Sequence, residues 1–72
     1  MILYTLYTKV SNVVSQRPLG QMQLPARVFA GEIIIFANKS YKILAIRYNV
    51  VNSSETKCEL LIEETSKKWG II

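Results

Sequence analysis

Apolar and polar residues alternate with a period of two in the first and last predicted strands of this chain, a pattern typical of β-strands with two different faces. Residues 2–10 show it first. One face of that segment carries Tyr4, Leu6 and Val10, and the other carries Thr5, Tyr7 and Lys9. β-branched and aromatic side chains also suit a pleated surface. The pattern therefore predicts a first strand over residues 2–10.

Two longer apolar segments follow in the middle of the chain, at residues 28–36 and 41–51, the first of them interrupted by Gly31. The residues between them, 37–40, read Ala-Asn-Lys-Ser. Asn tolerates the left-handed backbone region, and Ser can bond its own backbone, so this tetrapeptide favours a tight turn. The sequence predicts a β-hairpin here.

A last strand is predicted at residues 58–64, after the polar stretch 52–57. Cys58, Leu60 and Ile62 alternate there with Glu59, Leu61 and Glu63, which favours a strand antiparallel to its neighbour.

Two segments lack this regularity. Residues 11–25 collect polar residues, Pro18, Gly20 and Pro25, and predict a long loop that continues to about residue 27, with a short strand at 12–15 as an alternative. The tail, residues 65–72, fits a helical turn, an edge strand or a flexible end, and these alternatives stay open.

Four or five strands in one domain spanning residues 1–72 predict an all-β, mostly antiparallel fold, either a small barrel or a strongly bent sheet. Gly31-Glu32, the apolar run, the polar turn and Tyr41-Lys42-Ile43 together resemble the hairpin of SH3-like barrels. That resemblance implies an SH3-like barrel. The predicted core consists of Leu6, Val28, Ile34, Phe36, Leu44, Ile46, Tyr48, Leu60 and Ile62. The alternative is that the opposite strand faces are buried.

The small size limits how stable the domain can be alone. A chain of 8.2 kDa has a folded surface of about 4,500 Å² against about 12,000 Å² unfolded, so it buries only about 60% of its surface. Small domains usually compensate with disulfides, a metal or association. Cys58 is the single cysteine and the chain has no His, which excludes an intrachain disulfide and argues against a zinc site. We therefore expect the domain to gain its stability from good packing or from self-association.

Composition places the chain among folded, basic proteins. Half of its residues are hydrophobic, and nine Lys and Arg against five acidic residues give a net charge of +4. This charge favours an anionic partner without requiring one. No apolar run reaches the roughly 18 residues of a membrane span, and no signal-peptide pattern occurs, so we expect a cytoplasmic protein with no membrane contact.

The sequence predicts no enzyme, cofactor or metal. Without His or Asp the chain lacks the commonest general base and the Ser-His-Asp arrangement. Cys58 is expected to face the core with Leu60 and Ile62, as free cysteines usually do. The glutamates of the last strand are expected to be solvated, because calcium sites need more oxygen ligands in a turned loop.

The apolar character of both hairpin faces carries the functional prediction. A sheet with one wet face should alternate cleanly, so either the loop at residues 11–25 or another chain must cover the second face. We therefore expect a non-catalytic protein-interaction module, either a homo-oligomer or a small subunit of a larger assembly. Its candidate partner-binding residues are Ile33, Ile35, Tyr41, Ile43, Arg47 and Trp69. Trp69 either contacts a partner or folds over the open end of the barrel.

The alternative function is nucleic-acid binding by a basic and aromatic surface. Tyr41 is its stacking candidate, and the candidate phosphate contacts are Arg17, Arg27, Lys39, Lys42 and Arg47. Strict alternation puts Tyr41 and Arg47 on the opposite face from Lys42. The competing interpretation is that the tyrosines are half-buried and the charges are solvated.

Overall fold

A computed structural model describes residues 1–70, which form one β-sheet and contain no helix. The strands are β1 (Ile2–Val10), β2 (Val13–Val14), β3 (Gly20–Leu24), β4 (Ile33–Phe36), β5 (Lys39–Asn52) and β6 (Glu55–Glu64). Four of the five strand pairings are antiparallel, and β1 pairs with β6 in parallel. The predicted all-β, mostly antiparallel class is confirmed.

The sheet is bent but does not close into a barrel, so the SH3-like barrel is not confirmed. Its strand order is β2-β1-β6-β5-β4, and β3 lies beside β1 on the edge away from β6. The edges formed by β3 and β4 approach each other through the ring of Phe36. A Cβ atom at Gly20 would lie 2.8 Å from Cζ of that ring, so glycine makes this close approach possible.

A β-bulge at Leu44 reverses the faces of β5 partway along its length. Ile43 pairs with Ile62 and Ala45 pairs with Leu61, so one residue of β5 has no partner on β6. Before the bulge the odd-numbered residues face the core, and after it the even-numbered residues do. Strict alternation from the sequence therefore assigns the first half of β5 to the wrong face.

The buried core confirms part of the prediction and corrects the rest. Seven hydrophobic residues among residues 1–70 are buried, namely Tyr4, Leu6, Ile34, Tyr41, Ile43, Leu60 and Ile62. Of the predicted core, Leu6, Ile34, Leu60 and Ile62 are confirmed, and Val28, Phe36 and Ile46 pack against this cluster while partly buried. Leu44 is only half-buried and Tyr48 is 54% exposed. Cys58 packs against the core, as expected.

Four elements differ from their predicted bounds. β5 (Lys39–Asn52) and β6 (Glu55–Glu64) extend beyond the predicted ranges 41–51 and 58–64. Residues 20–24 form strand β3 instead of a loop, because Gln21 and Gln23 alternate with Met22 and Leu24. The strand predicted from residue 28 begins only at Ile33. Gly31 adopts a φ of 95°, a left-handed conformation that ends a strand.

The hairpin between β4 and β5 is confirmed, and its turn is the two-residue type that suits twisted strands. Ala37 and Asn38 have φ values of 51° and 66°, and Ser11 and Asn12 repeat the same values between β1 and β2. Both central residues of a type I′ turn need positive φ.

The described part of the tail, residues 65–70, forms neither a helix nor a strand and lies beside β5 and β4. The backbone N–H of Thr65 donates to the carbonyl of Ser40, and Gly70 lies beside the backbone of Glu32 and Ile33. Trp69 is 80% exposed, so it does not cover the core. Ile71 and Ile72 lie outside the described residues. Within the described part of the chain, no helix has the length and hydrophobicity to cross a membrane.

Candidate functional site

The predicted partner-binding residues do not share one surface. Tyr41 and Ile43 are 6% and 0% exposed, so they belong to the core and cannot contact a partner. The bulge at Leu44 is the reason, because it separates their face from that of Arg47. Ile35, Arg47 and Trp69 are exposed, and Ile33 is half-buried.

The five predicted phosphate contacts are likewise divided among different parts of the molecule. Nζ of Lys39 lies 3.8 Å from Oε1 of Glu64, and Cζ of Arg27 lies 5.9 Å from the centre of the Tyr48 ring. Lys42 and Arg47 lie on β5, where the bulge at Leu44 puts both on the face opposite the core, and Arg17 lies in the loop before β3. Because Tyr41 is buried, it cannot stack on a base.

A long backbone edge of β5 has no partner strand within the described residues. β4 pairs with residues 39–42 of β5, and Gly31 and Glu32 extend this contact to Ile43. From Leu44 to Asn52, no backbone hydrogen bond among residues 1–70 reaches the same edge. We call these residues the free edge of β5. Its large apolar side chains are open to solvent, with exposures of 54% for Tyr48, 67% for Val50 and 50% for Val51.

A pocket of about 560 Å³ lies on the sheet face opposite the core, which we call the outward face. It spans four strands and the residues after β2. Its lining residues are Tyr7, Val14, Ser15, Gln16, Ala45, Ile46, Arg47, Glu59, Leu60 and Leu61.

An ion pair with a supporting tyrosine lies in this pocket. Nε of Arg47 donates to Oε1 of Glu59 at 2.5 Å, and the hydroxyl of Tyr7 donates to Oε2 of the same carboxylate at 3.4 Å. The Glu59 side chain is 4% exposed, whereas the Arg47 side chain is 71% exposed. The expectation that the glutamates of the last strand are solvated is therefore wrong for Glu59. The guanidinium carbon lies 5.6 Å from the centre of the Tyr7 ring, within cation–π range.

Arg47 determines the ionisation of Glu59. Its hydrogen bond lowers the pKa of Glu59 below the ordinary value of 4.5, with further lowering by its positive charge. Burial acts in the opposite direction, because it disfavours the charged carboxylate. The carboxylate is therefore ionised and engaged at neutral pH.

The sequence indicated Arg47 as a binding residue but missed its two partners. Alternation predicts which face of β1 carries Tyr7 and which face of β6 carries Glu59. That these faces are the same surface follows only from the parallel pairing of β1 with β6, which aligns Thr5 with Glu59 and Tyr7 with Leu61.

The outward face carries no arrangement typical of a metal centre. In the described residues, no group of three or more His, Cys, Asp or Glu side chains is placed to hold a metal ion.

Comparison with known proteins finds no matching family model, no significantly similar curated protein and no significantly similar solved structure.

The ion pair leads to a prediction about acid stability. Because the folded-state pKa of Glu59 is depressed, its ionised form stabilises the fold above pH 4.5, and this contribution is lost as the pH falls through the folded-state pKa. The Glu59→Gln variant should be less stable than wild type at neutral pH. It should also lose less free energy of unfolding between about pH 7 and about pH 3 in urea titrations.

The matched control for this prediction is Glu63→Gln, which alters an exposed glutamate on the same strand and face. It should keep the acid sensitivity of the wild type. Equal acid sensitivity of wild type and Glu59→Gln would contradict the role assigned to the ion pair.

Proposed function

We propose that this chain is a non-catalytic protein-interaction module that forms a homodimer by antiparallel pairing of two β5 strands. The free edge of β5 carries this proposal. Unpaired N–H and C=O groups on an exposed, apolar edge strand form a template for pairing with another chain. Natural sheets usually protect such an edge with charged residues, yet Arg47 is the only charged residue between Leu44 and Asn52.

The free edge is also complementary to itself. An antiparallel pair with Tyr48 opposite its own copy would place Ile46 opposite Val50 on the core-side face. On the outward face, the same register would place Arg47 opposite Asn49. A second bulge of β5 leaves Val51 without a partner on β6, so this alternation ends at Val50. Apolar side chains then meet apolar ones, and no two like charges are directly opposed. A two-fold axis would relate the chains, as in most homodimers.

The size of the exposed surface supports association. The chain exposes 5467 Å², roughly 900 Å² more than the about 4,500 Å² expected for a compact monomer of its mass. That excess is similar to the roughly 800 Å² that one partner contributes to a standard interface. A dimer would also extend the small core, whose size limits the stability of the isolated chain.

A non-catalytic role is supported by the chemistry of the chain. It contains neither His nor Asp, and its single cysteine packs against the core. Glu59 is an unsuitable general base, because its lowered pKa is far from neutral pH and Arg47 occupies it.

The molar mass in solution tests this proposal. Light scattering on the purified protein over a dilution series should give twice 8.2 kDa at high concentration and approach 8.2 kDa on dilution. A constant 8.2 kDa throughout would overturn the proposal.

We do not put forward nucleic-acid binding as a second function. Its stacking candidate Tyr41 is buried, Lys39 and Arg47 form ion pairs, and Arg27 lies over the ring of Tyr48. It stays a prediction of the sequence, and a measurement of RNA and DNA binding at low salt tests it.

A further inference from the structure

We propose that the outward-face pocket binds a small organic anion, whose carboxylate or phosphate group pairs with the terminal nitrogens of Arg47. The pocket shares Ala45, Ile46 and Arg47 with the free edge of β5, but it lies on the outward face of the sheet, whereas strand pairing would use the backbone groups of the edge.

The guanidinium of Arg47 has donors to spare. It carries five N–H donors in a planar fork, and among residues 1–70 its side chain makes one hydrogen bond, through Nε to Glu59. Within the described part of the chain, the two terminal nitrogens have no hydrogen-bond acceptor, and the side chain is 71% exposed. This free side of the fork matches the two oxygens of a carboxylate or phosphate.

The fork is already held in place before a ligand arrives. Nε of Arg47 donates a hydrogen bond to the carboxylate of Glu59, and the guanidinium carbon lies 5.6 Å from the centre of the Tyr7 ring. A flexible surface arginine must lose rotamer freedom when it binds an anion, whereas a fixed one has already lost it. The buried carboxylate therefore positions the cation that would contact the ligand.

The charges around the pocket favour an anion over a neutral or cationic ligand. Lys9 is paired in register with Val14, and Arg17 follows Gln16, and both Val14 and Gln16 line the pocket. Neither Lys9 nor Arg17 forms an ion pair among residues 1–70. Glu59 is the only acidic lining residue, and its charge is already engaged by Arg47.

The walls of the pocket indicate that the anion has an apolar body. Val14, Ala45 and Leu61 line it with aliphatic side chains. Its volume of about 560 Å³ lies within the roughly 300–1,000 Å³ range of small-molecule sites, which are mostly apolar with a few fixed polar groups. An inorganic ion would leave these walls wet, so it should bind more weakly than an organic anion.

Titration followed by amide chemical shifts tests this proposal with four probes: phenyl phosphate, benzoate, inorganic phosphate and the neutral analogue benzyl alcohol. Phenyl phosphate or benzoate should shift the amides of Tyr7, Ala45 and Glu59 in a saturable manner. Which of the two binds more tightly tells whether the natural group is a phosphate or a carboxylate. Inorganic phosphate and benzyl alcohol should each bind at least about tenfold more weakly.

Two variants separate recognition from folding. Arg47→Lys keeps a cation beside Glu59 but removes the planar fork, and it should weaken binding of the organic anion about tenfold. Arg47→Gln should abolish binding. The matched control Arg27→Gln removes an arginine that lies over Tyr48 outside the pocket and should bind like wild type. Equal affinity for benzyl alcohol, unchanged binding by Arg47→Lys, or no saturable shift with either anion would overturn the proposal.

Discussion

The Val50→Lys variant is expected to be monomeric at concentrations where the wild-type protein is a dimer. Val50 is 67% exposed and lies near the middle of the free edge of β5, where the proposed register places it opposite Ile46 of the second chain. Lysine on an edge strand is a natural device against strand pairing, because its charge would be desolvated in the new sheet.

The expected effect on the dimer is large because the substitution occurs twice. Each dimer would contain two such lysines, one on either side of the two-fold axis. A loss of about 2 kcal/mol corresponds to a roughly 30-fold weaker Kd, and we expect at least this change. Sedimentation equilibrium measures it directly. The free energy of unfolding of the monomer should stay within about 0.5 kcal/mol of wild type, since the side chain is mostly solvated.

Val13→Lys is the matched control for this variant. Val13 has the same exposure, 67%, but it lies on β2 at the other edge of the sheet. It should leave the Kd unchanged. If both lysine variants weaken association equally, net charge and not the β5 edge is responsible, and the proposed interface is wrong.

The Ile43→Ala variant is expected to lose about 2–5 kcal/mol of unfolding free energy, as do other truncations of fully buried aliphatic side chains. Ile43 is 0% exposed and pairs across the sheet with Ile62, which is also fully buried. For a chain of this length the total is only about 4–11 kcal/mol. Urea denaturation followed by circular dichroism should therefore show a large fall in midpoint or an unfolded protein.

The Leu44→Ala variant tests which face of β5 is buried. Strict alternation predicts that Leu44 is in the core and Ile43 is not, whereas the bulge reverses this. Leu44→Ala should therefore cost clearly less than Ile43→Ala, because Leu44 is only half-buried. Ile35→Ala, at an isoleucine that is 54% exposed on β4, should cost less than about 1 kcal/mol. A larger loss for Leu44→Ala than for Ile43→Ala would contradict the described register.

Local patterns predicted the parts of the fold that depend on local physics. The alternation in residues 2–10 identified β1 with its observed bounds, Ile2–Val10. The turn at Ala37 and Asn38 followed from the residues themselves, because Asn tolerates positive φ. The single cysteine faces the core, as its alternation with Glu59 predicted.

The missed features depend on contacts between distant parts of the chain. No local pattern specifies that β1 and β6 pair in parallel, yet this pairing brings Tyr7 and Glu59 into one pocket. The bulge at Leu44 left no turn residue or glycine as a signal, so Tyr41 and Ile43 were assigned to the surface. Strand β3 had a signal in its alternating glutamines, but Pro18, Gly20 and Pro25 favoured a loop.

The most direct test of strand pairing is an isotope-filtered NOE experiment on dimers mixed from labelled and unlabelled protein. The proposed interface requires contacts between the two chains among residues 44–52, including contacts from Tyr48 to its own copy and from Ile46 to Val50. A dimer whose contacts between chains lie elsewhere on the sheet and exclude residues 44–52 would contradict it.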